Sequence, residues 1–186
     1  MNQKKIVTNN YDRLCTSPSY YSDWNIQIIN KYSVKNNLMA APGGSLPMID
    51  TDNIYSVYRK RIEESEFNVL FIDNSIAFLE YSFDKNRIAK HRLTFISPDE
   101  SMSIQYFRID YDPQNYDGPN HPEVHISLLD NRQRISINRP ILPKQFVYII
   151  NKFIFNNQTD KTDRLLTESL DEVENNAIDQ KLFLKI

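Results

Sequence analysis

The chain has 186 residues, of which 40% are hydrophobic and 12% aromatic, so it can bury a sizeable core and is short enough to form one domain. Its 22 basic and 24 acidic side chains give a formal net charge of -2 at pH 7, which excludes a strong overall attraction to nucleic acid or an anionic membrane and leaves only a local patch for such a partner. Only three glycines are present, which excludes the glycine-rich phosphate loops of P-loop and Rossmann proteins.

The N-terminal segment, MNQKKIVTNNYDR, lacks the apolar stretch of a secretory signal. The single cysteine, Cys15, cannot form an internal disulfide and has no histidine near it in sequence, so we predict a cytoplasmic protein in which a nucleophilic role for Cys15 has no support. No apolar run approaches the ~18 residues of a membrane span. The longest, Phe146 to Phe155, is interrupted by Asn151 and Lys152, so no membrane partner is predicted.

Residues 1–50 are predicted to be a helical extension that ends in a loop. Apolar residues recur at roughly helical spacing between Ser19 and Lys31, after a Ser-Pro pair typical of a helix start. The segment Ala40 to Pro47, AAPGGSLP, carries the strongest breakers of the chain and is predicted to be the loop. A second helix is predicted from about Asp52 to Glu66. Its apolar stripe consists of Ile54, Tyr55, Tyr58 and Ile62.

From Phe67 onward the apolar period changes to two, which is typical of β-strands. A turn at Asp84-Lys85-Asn86 joins two of these strands as a hairpin. Because further short strands follow with turns between them, we predict an antiparallel meander of about five to six strands. The predicted strands are Phe67–Asp73, Ser75–Phe83, Ile88–Ile96, Ile104–Tyr111, Val124–Leu129 and Arg134–Ile137.

A C-terminal helix is predicted from Pro143 to Asn156, because proline suits the first turn of a helix and the most apolar stripe of the chain follows it. The stripe consists of Phe146, Val147, Ile149, Ile150, Phe153 and Ile154. We expect this helix to pack on the apolar face of the sheet and to be the most buried of all. Residues 157–186 are predicted as a tail with an acidic helix over Thr162–Ala177 and a last strand over Lys181–Ile186. The fold class is thus a single α+β domain, residues 1–186, with its core at 51–156.

Charged side chains gather on one face of the predicted sheet, because residues two apart on a strand point to the same side. Arg108, Asp110 and Asp112 share one side of their strand, opposite the apolar residues between them. The same alternation applies to the neighbouring strands. The polar face predicted in this way consists of Arg92, Arg108, Asp110, Asp112, His121, Glu123, His125, Ser127 and Arg134.

Two interpretations of this polar face are open. Guanidinium groups bind phosphate or carboxylate through two parallel hydrogen bonds, and histidine exchanges a proton near neutral pH. In the first interpretation the face holds a phosphate-bearing ligand: its binding residues are Arg92, Arg108, Asp110 and Arg134, and its acid and base are His121 and His125. In the second, the face is solvated, as is common in antiparallel sheets, and Arg108 and Asp110 form a cross-strand ion pair.

His121 and His125 have the His-x-x-x-His spacing of zinc sites on helices. Pro122 and the β-branched residues nearby favour a strand, on which these histidines lie about 13 Å apart from four rises of ~3.3 Å. That distance is too large for one ion unless the chain bends at Pro122, so no metal and no cofactor are predicted. His125-Ile126-Ser127 also matches the His-x-Ser motif of two-histidine phosphoesterases, but His91-Arg92-Leu93-Thr94 does not supply the required second copy.

Four short motifs follow one another along the middle of the chain: His91-Arg92-Leu93, Arg108-x-Asp110-x-Asp112, His121-Pro122-x-x-His125, and Arg134 ahead of Pro143 and Phe146. Their order resembles that of an uncharacterised prokaryotic family, a domain of unknown function, over about Phe67 to Phe155. The family pattern implies a Leu-Thr-Leu-Gly-like strand after His125, where this chain has Ile-Ser-Leu-Leu.

The resemblance bears on function only through genomic context. Families of this kind often lie beside restriction, toxin–antitoxin or other phage-defence genes. The resemblance therefore implies a small subunit or binding module that works through a protein partner or as a homo-oligomer. The alternative is an enzyme or sensor that binds a nucleotide or RNA through the polar face.

Overall fold

The computed structural model describes residues 2–16, 24–99, 105–129, 134–137 and 139–155. These residues form three α-helices and one antiparallel sheet of nine strands, so the predicted α+β class is confirmed. The helices are α1 (Gln3–Thr16), α2 (Ile54–Glu63) and α3 (Pro143–Ile149). The strands are β1 (Ile26–Ile29), β2 (Ser33–Lys35), β3 (Leu38–Ala40), β4 (Val69–Phe71), β5 (Ile76–Asp84), β6 (Arg87–Ile96), β7 (Tyr106–Tyr111), β8 (Val124–Leu128) and β9 (Arg134–Ser136).

The order of strands in the sheet confirms the predicted meander, because β4 to β9 are neighbours in chain order. The β5–β6 hairpin turns at Lys85, which has a φ of 54°. Strand β1 pairs with β4, and the β2–β3 hairpin joins the sheet where β3 pairs with β5. Within the described ranges the sheet thus has nine strands instead of the predicted five to six, since β1 to β3 come from the region expected to be helical.

The helix predicted between Ser19 and Lys31 is wrong. Part of that segment, Ile26–Ile29, is strand β1, and residues 17–23 lie outside the described part of the chain. The N-terminal helix is α1, whose buried Val7, Tyr11 and Leu14 recur at helical spacing. Residues 1–50 therefore contribute strands to the sheet and are not a helical extension.

Other predicted elements lie where they were expected. Apart from Ala40, the segment Ala40 to Pro47 is loop, and α2 falls inside the predicted helix. The helix predicted at Thr162–Ala177 and the strand predicted at Lys181–Ile186 lie outside the described residues. In the described part of the chain, no helix has the combination of length and apolar character that crossing a membrane requires.

Both faces of the sheet are partly covered by apolar packing. On one face, α1 and α3 pack over alternating residues such as Ala77, Leu79 and Tyr81. On the other face, α2 and the loop before it cover a smaller core around Ile76 and Phe78. Only the first of these cores was predicted from the sequence. The polar side chains occupy the rest of the second face.

Helix α3 is the most buried helix among the described residues, with five of its seven residues buried. Phe146 packs on Phe107 with the ring centroids 5.6 Å apart, so the predicted packing on the sheet is confirmed. The helix continues into a π-helical turn, Ile150–Ile154, whose wider hydrogen-bonding pattern changes the phase of the stripe. Phe153, predicted to be part of the buried stripe, is 50% exposed for this reason.

A buried pair of polar side chains holds the segment that leads into α3. Tyr81 on β5 and His91 on β6 are direct cross-strand partners. The Tyr81 hydroxyl donates to the carbonyl of Ile141 at 2.7 Å, and the amide of Ile141 donates to Nε2 of His91 at 3.0 Å. Both backbone polar groups of Ile141 are thus satisfied inside the core, and Nε2 of His91 must be unprotonated to accept.

This arrangement predicts that stability falls in mild acid. Burial lowers the pKa of His91 from 6.5 to about 4. Below pH 6.5 the unfolded chain binds a proton that the native state does not, so the free energy of unfolding decreases as the pH falls from about 6.5 towards 4. We expect His91 to lower the free energy of unfolding by roughly 2 kcal/mol between pH 7 and pH 5. Denaturant unfolding at both pH values should show that the free energy of unfolding decreases less in His91→Gln than in the native protein. Equal decreases in the two proteins would contradict a lowered pKa of His91 as the cause.

Candidate functional site

The polar residues of the second face lie in two rows that cross the strands, because cross-strand partners stand side by side. We name each row by its central residue on β7. The Asp110 row consists of Glu80, Arg92, Asp110, His125 and Ser136. The Arg108 row, two residues away along each strand, consists of Phe78, Thr94, Arg108, Ser127 and Arg134. The alternation predicted from the sequence therefore does bring Arg92, Asp110 and His125 side by side.

Asp110 is the centre of these contacts. Its carboxylate accepts hydrogen bonds from Nε of Arg108 and, at 3.4 Å, from Nε of Arg92, and Nε2 of His125 lies 3.7 Å from its Oδ2. The Asp110 side chain is only 5% exposed, against 31% for Arg92 and 15% for Arg108. The Arg108–Asp110 ion pair of the second interpretation is therefore present, but it joins two residues of β7 and not two strands, and it is buried instead of solvated.

Several polar atoms beside the arginines have no hydrogen-bond partner among the described residues. They include the buried hydroxyls of Thr94 and Ser127, which flank Arg108 on β6 and β8. An unpartnered buried polar group costs about 1–3 kcal/mol. Such groups in native proteins usually mark a bound water, ion or ligand, or a catalytic role.

His121 and His125 are close together, contrary to the predicted ~13 Å. Their ring centroids are 4.8 Å apart. The prediction assumed a straight strand, but β8 begins only at Val124, and His121 pairs with Asp117 across a turn in which Gly118 has a φ of 55°. Nδ1 of His125 also lies 2.8 Å from the carbonyl oxygen of Pro122, three residues earlier, so the chain folds back between the two histidines, which is the exception that the prediction allowed.

The hydrogen bond of His125 defines its tautomer. Nδ1 lies 2.8 Å from the carbonyl oxygen of Pro122, which can only accept, so Nδ1 carries the proton and Nε2 the lone pair. Burial lowers the pKa of His125, and the neighbouring His121 and Arg134 lower it further, against opposing effects of Pro122 and Asp110. His125 is therefore mainly neutral at pH 7, with a basic nitrogen near the Asp110 row.

Arg134 lies at the rim of this cluster. Its side chain is exposed, and Nη1 donates to the carbonyl of Asn120, the residue before His121, at 3.0 Å. Its cross-strand partner is Ser127. Of the predicted site residues, the structure thus brings together Arg92, Arg108, Asp110, His121 and His125, with Arg134 at their border.

Glu80 and Thr94 also lie on the polar face, although neither was predicted from the sequence. Glu80 is buried opposite Arg92, and its Oε1 accepts the amide of Leu46 at 2.8 Å. Burial raises the pKa of Glu80, against the hydrogen bonds and positive charges around it. Thr94 is two residues from Arg92 on β6, and Glu80 lies between the core residues Leu79 and Tyr81 on β5. The same two-residue alternation therefore predicts both on the polar face.

Asp112 forms a separate ion pair at the edge of the face. Its Oδ2 accepts hydrogen bonds from Nζ of Lys90 at 2.7 Å and from Nδ2 of Asn115 at 2.8 Å. Partial burial favours a raised pKa for Asp112, but these two hydrogen bonds and the charge of Lys90 outweigh it and lower the pKa. Within the described ranges, no group of three or more His, Cys, Asp or Glu residues is arranged to hold a metal ion.

Comparison with known proteins places this chain in a family. The model of the family described as "Uncharacterized conserved protein (DUF2290)" matches residues 25–104 and 97–184. These segments extend beyond the resemblance at Phe67 to Phe155 on both sides, and they include all nine strands of the described sheet. No curated protein and no solved structure matches the chain. Because the matched segments cover well over half of its length, the chain belongs to the DUF2290 family of uncharacterised conserved proteins.

Proposed function

We propose that the polar face binds a phosphate-bearing ligand, such as a nucleotide or an RNA end. The observation that supports this most is the anchoring of Arg92 and Arg108 through their Nε atoms on one buried carboxylate, Asp110. A guanidinium held at Nε keeps its terminal nitrogens in a defined plane, which suits bidentate binding of phosphate. The unpartnered hydroxyls of Thr94 and Ser127 beside Arg108 supply further donors.

The two histidines provide acid and base for this proposal. Nε2 of neutral His125 is a proton acceptor, and His121 is its neighbour at 4.8 Å between ring centroids. A histidine pair beside a bound phosphate can take a proton from one oxygen and give one to another, which is general acid–base catalysis. We therefore assign His125 as the base and His121 as the acid of the proposed site.

A module that works through a protein partner in phage defence or a toxin–antitoxin system stays a prediction. It would be supported by an exposed apolar patch on the N-terminal helix or the tail. In α1, however, Val7, Tyr11 and Leu14 are buried, and the tail lies outside the described residues. The short distance between His121 and His125 and the burial of most residues in the Asp110 and Arg108 rows also favour a ligand site over a flat, solvated sheet.

The test is thermal stabilisation by inorganic pyrophosphate. Pyrophosphate at about 100 times its Kd should stabilise the native protein by roughly 2.7 kcal/mol, which raises the Tm by roughly 5–10 °C for a chain of this size. Arg92→Gln should lose this shift. Its free energy of unfolding without ligand should change by only about 1 kcal/mol, since Arg92 is about one-third exposed and Asp110 keeps Arg108.

The matched control is Arg87→Gln, which removes the same charge from an exposed position at the start of β6. It should keep the full pyrophosphate shift. If the native protein shows no shift, or if both variants lose it equally, the phosphate site is refuted.

A further inference from the structure

A groove opens on the same face of the sheet, between α2 and the ends of the central strands. Its volume is about 320 Å³. Its lining contains two tyrosines and no charged residue. The lining includes Ile54, Tyr55, Tyr58, Ile96, Gln105 and Leu129.

The two tyrosines differ in how they are held. The Tyr58 hydroxyl donates to the carbonyl of Asn74 at 2.8 Å, and the side chain is buried, so this ring is fixed in the wall. Tyr55 is 58% exposed, so a large part of its ring is open to a ligand. A flat, uncharged ring therefore finds a fixed aromatic wall and an exposed aromatic surface in one place.

The groove lies next to the proposed phosphate site along the same strands. Ile96, in the groove lining, is the cross-strand partner of Tyr106. The Arg108 row follows two residues further along the same face, which corresponds to about 7 Å at ~3.3 Å per residue. Tyr106 and Arg108 also interact electrostatically. An uncharged aromatic groove and a pair of anchored arginines thus lie end to end.

We infer that the groove binds the base of a nucleotide whose phosphate lies on Arg92 and Arg108. This inference rests on the proposed phosphate site and names the rest of its ligand. The chemistry is complementary at both ends: the base stacks on Tyr55, and the phosphate binds the guanidinium groups. The uncharged base thus lies in the uncharged groove, and the negative charge of the phosphate lies on the arginines.

Isothermal titration with AMP, GMP, CMP, UMP and pyrophosphate tests the inference. At least one nucleotide should bind more tightly than pyrophosphate. Tyr55→Ala should weaken that nucleotide about tenfold or more and leave pyrophosphate affinity unchanged, because stacking involves only the base. Tyr116→Ala, which removes a tyrosine that is 63% exposed outside the groove, is the matched control and should keep both affinities.

The outcomes separate the two claims. If pyrophosphate binds but no nucleotide binds more tightly, or if Tyr55→Ala leaves nucleotide affinity unchanged, the base site is refuted and the phosphate site stands. If Arg92→Gln weakens nucleotide and pyrophosphate alike while Tyr55→Ala weakens only the nucleotide, both claims are supported. If neither pyrophosphate nor any nucleotide binds, the proposed function fails together with the inference.

Discussion

Asp110→Asn should destabilise the protein by about 3–5 kcal/mol, although asparagine has nearly the same shape as aspartate. The carboxylate is 5% exposed and accepts hydrogen bonds from both Arg92 and Arg108. Removing its charge leaves the two guanidinium groups without the carboxylate that both of them contact, and Arg108 is itself only 15% exposed. Denaturant unfolding at pH 7 measures the change directly.

The matched control is Asp112→Asn, two residues further along the chain and just past the end of β7. Its partner, Lys90, is 42% exposed and can turn its ammonium group into water when the carboxylate is lost. We expect a loss of about 1 kcal/mol or less. Equal losses of unfolding free energy in the two variants would contradict a larger contribution from the buried Asp110 contacts.

Phe146→Ala should also destabilise by about 3–5 kcal/mol, because the ring is fully buried in α3 against Phe107. The loss combines the apolar surface that is no longer buried with the cavity that remains between helix and sheet. For a chain of this length the Tm should fall by roughly 6–20 °C. Thermal unfolding of both proteins at equal concentration is the measurement.

Phe153→Ala is the control, since it removes the same side chain from the π-helical turn that follows α3. Phe153 is 50% exposed, so the change should be about 1 kcal/mol or less. A loss at Phe153 as large as that at Phe146 would contradict the phase shift that the π-helical turn introduces.

The polar face could be predicted because strand alternation has a fixed period of two. Once Phe107 and Ile109 are placed in the core, Arg108 and Asp110 must point to the other side. The period does not reveal what covers that other side. The second core around Phe78, and the burial of Asp110, depend on α2 and on the loop before it, which are distant in sequence.

The errors have specific physical causes. Strands β1 to β3 are only three or four residues long, too short for a period to distinguish them from a helix. Helix α1 did carry a signal, because Val7, Tyr11 and Leu14 recur at helical spacing, but the sequence analysis placed the helix further along the chain. The distance between His121 and His125 depended on one bend at Pro122, and the π-helical turn has no sequence signature of its own.

Nuclear magnetic resonance of arginine Nε–H and histidine ring signals during a pyrophosphate titration tests the phosphate site most directly. We expect saturable shifts of the Nε–H signals of Arg92 and Arg108 and of the His125 ring, while the signals of the exposed Arg59 and Arg87 stay in place. Unchanged signals at Arg92 and Arg108, or equal shifts at all four arginines, would contradict the phosphate site.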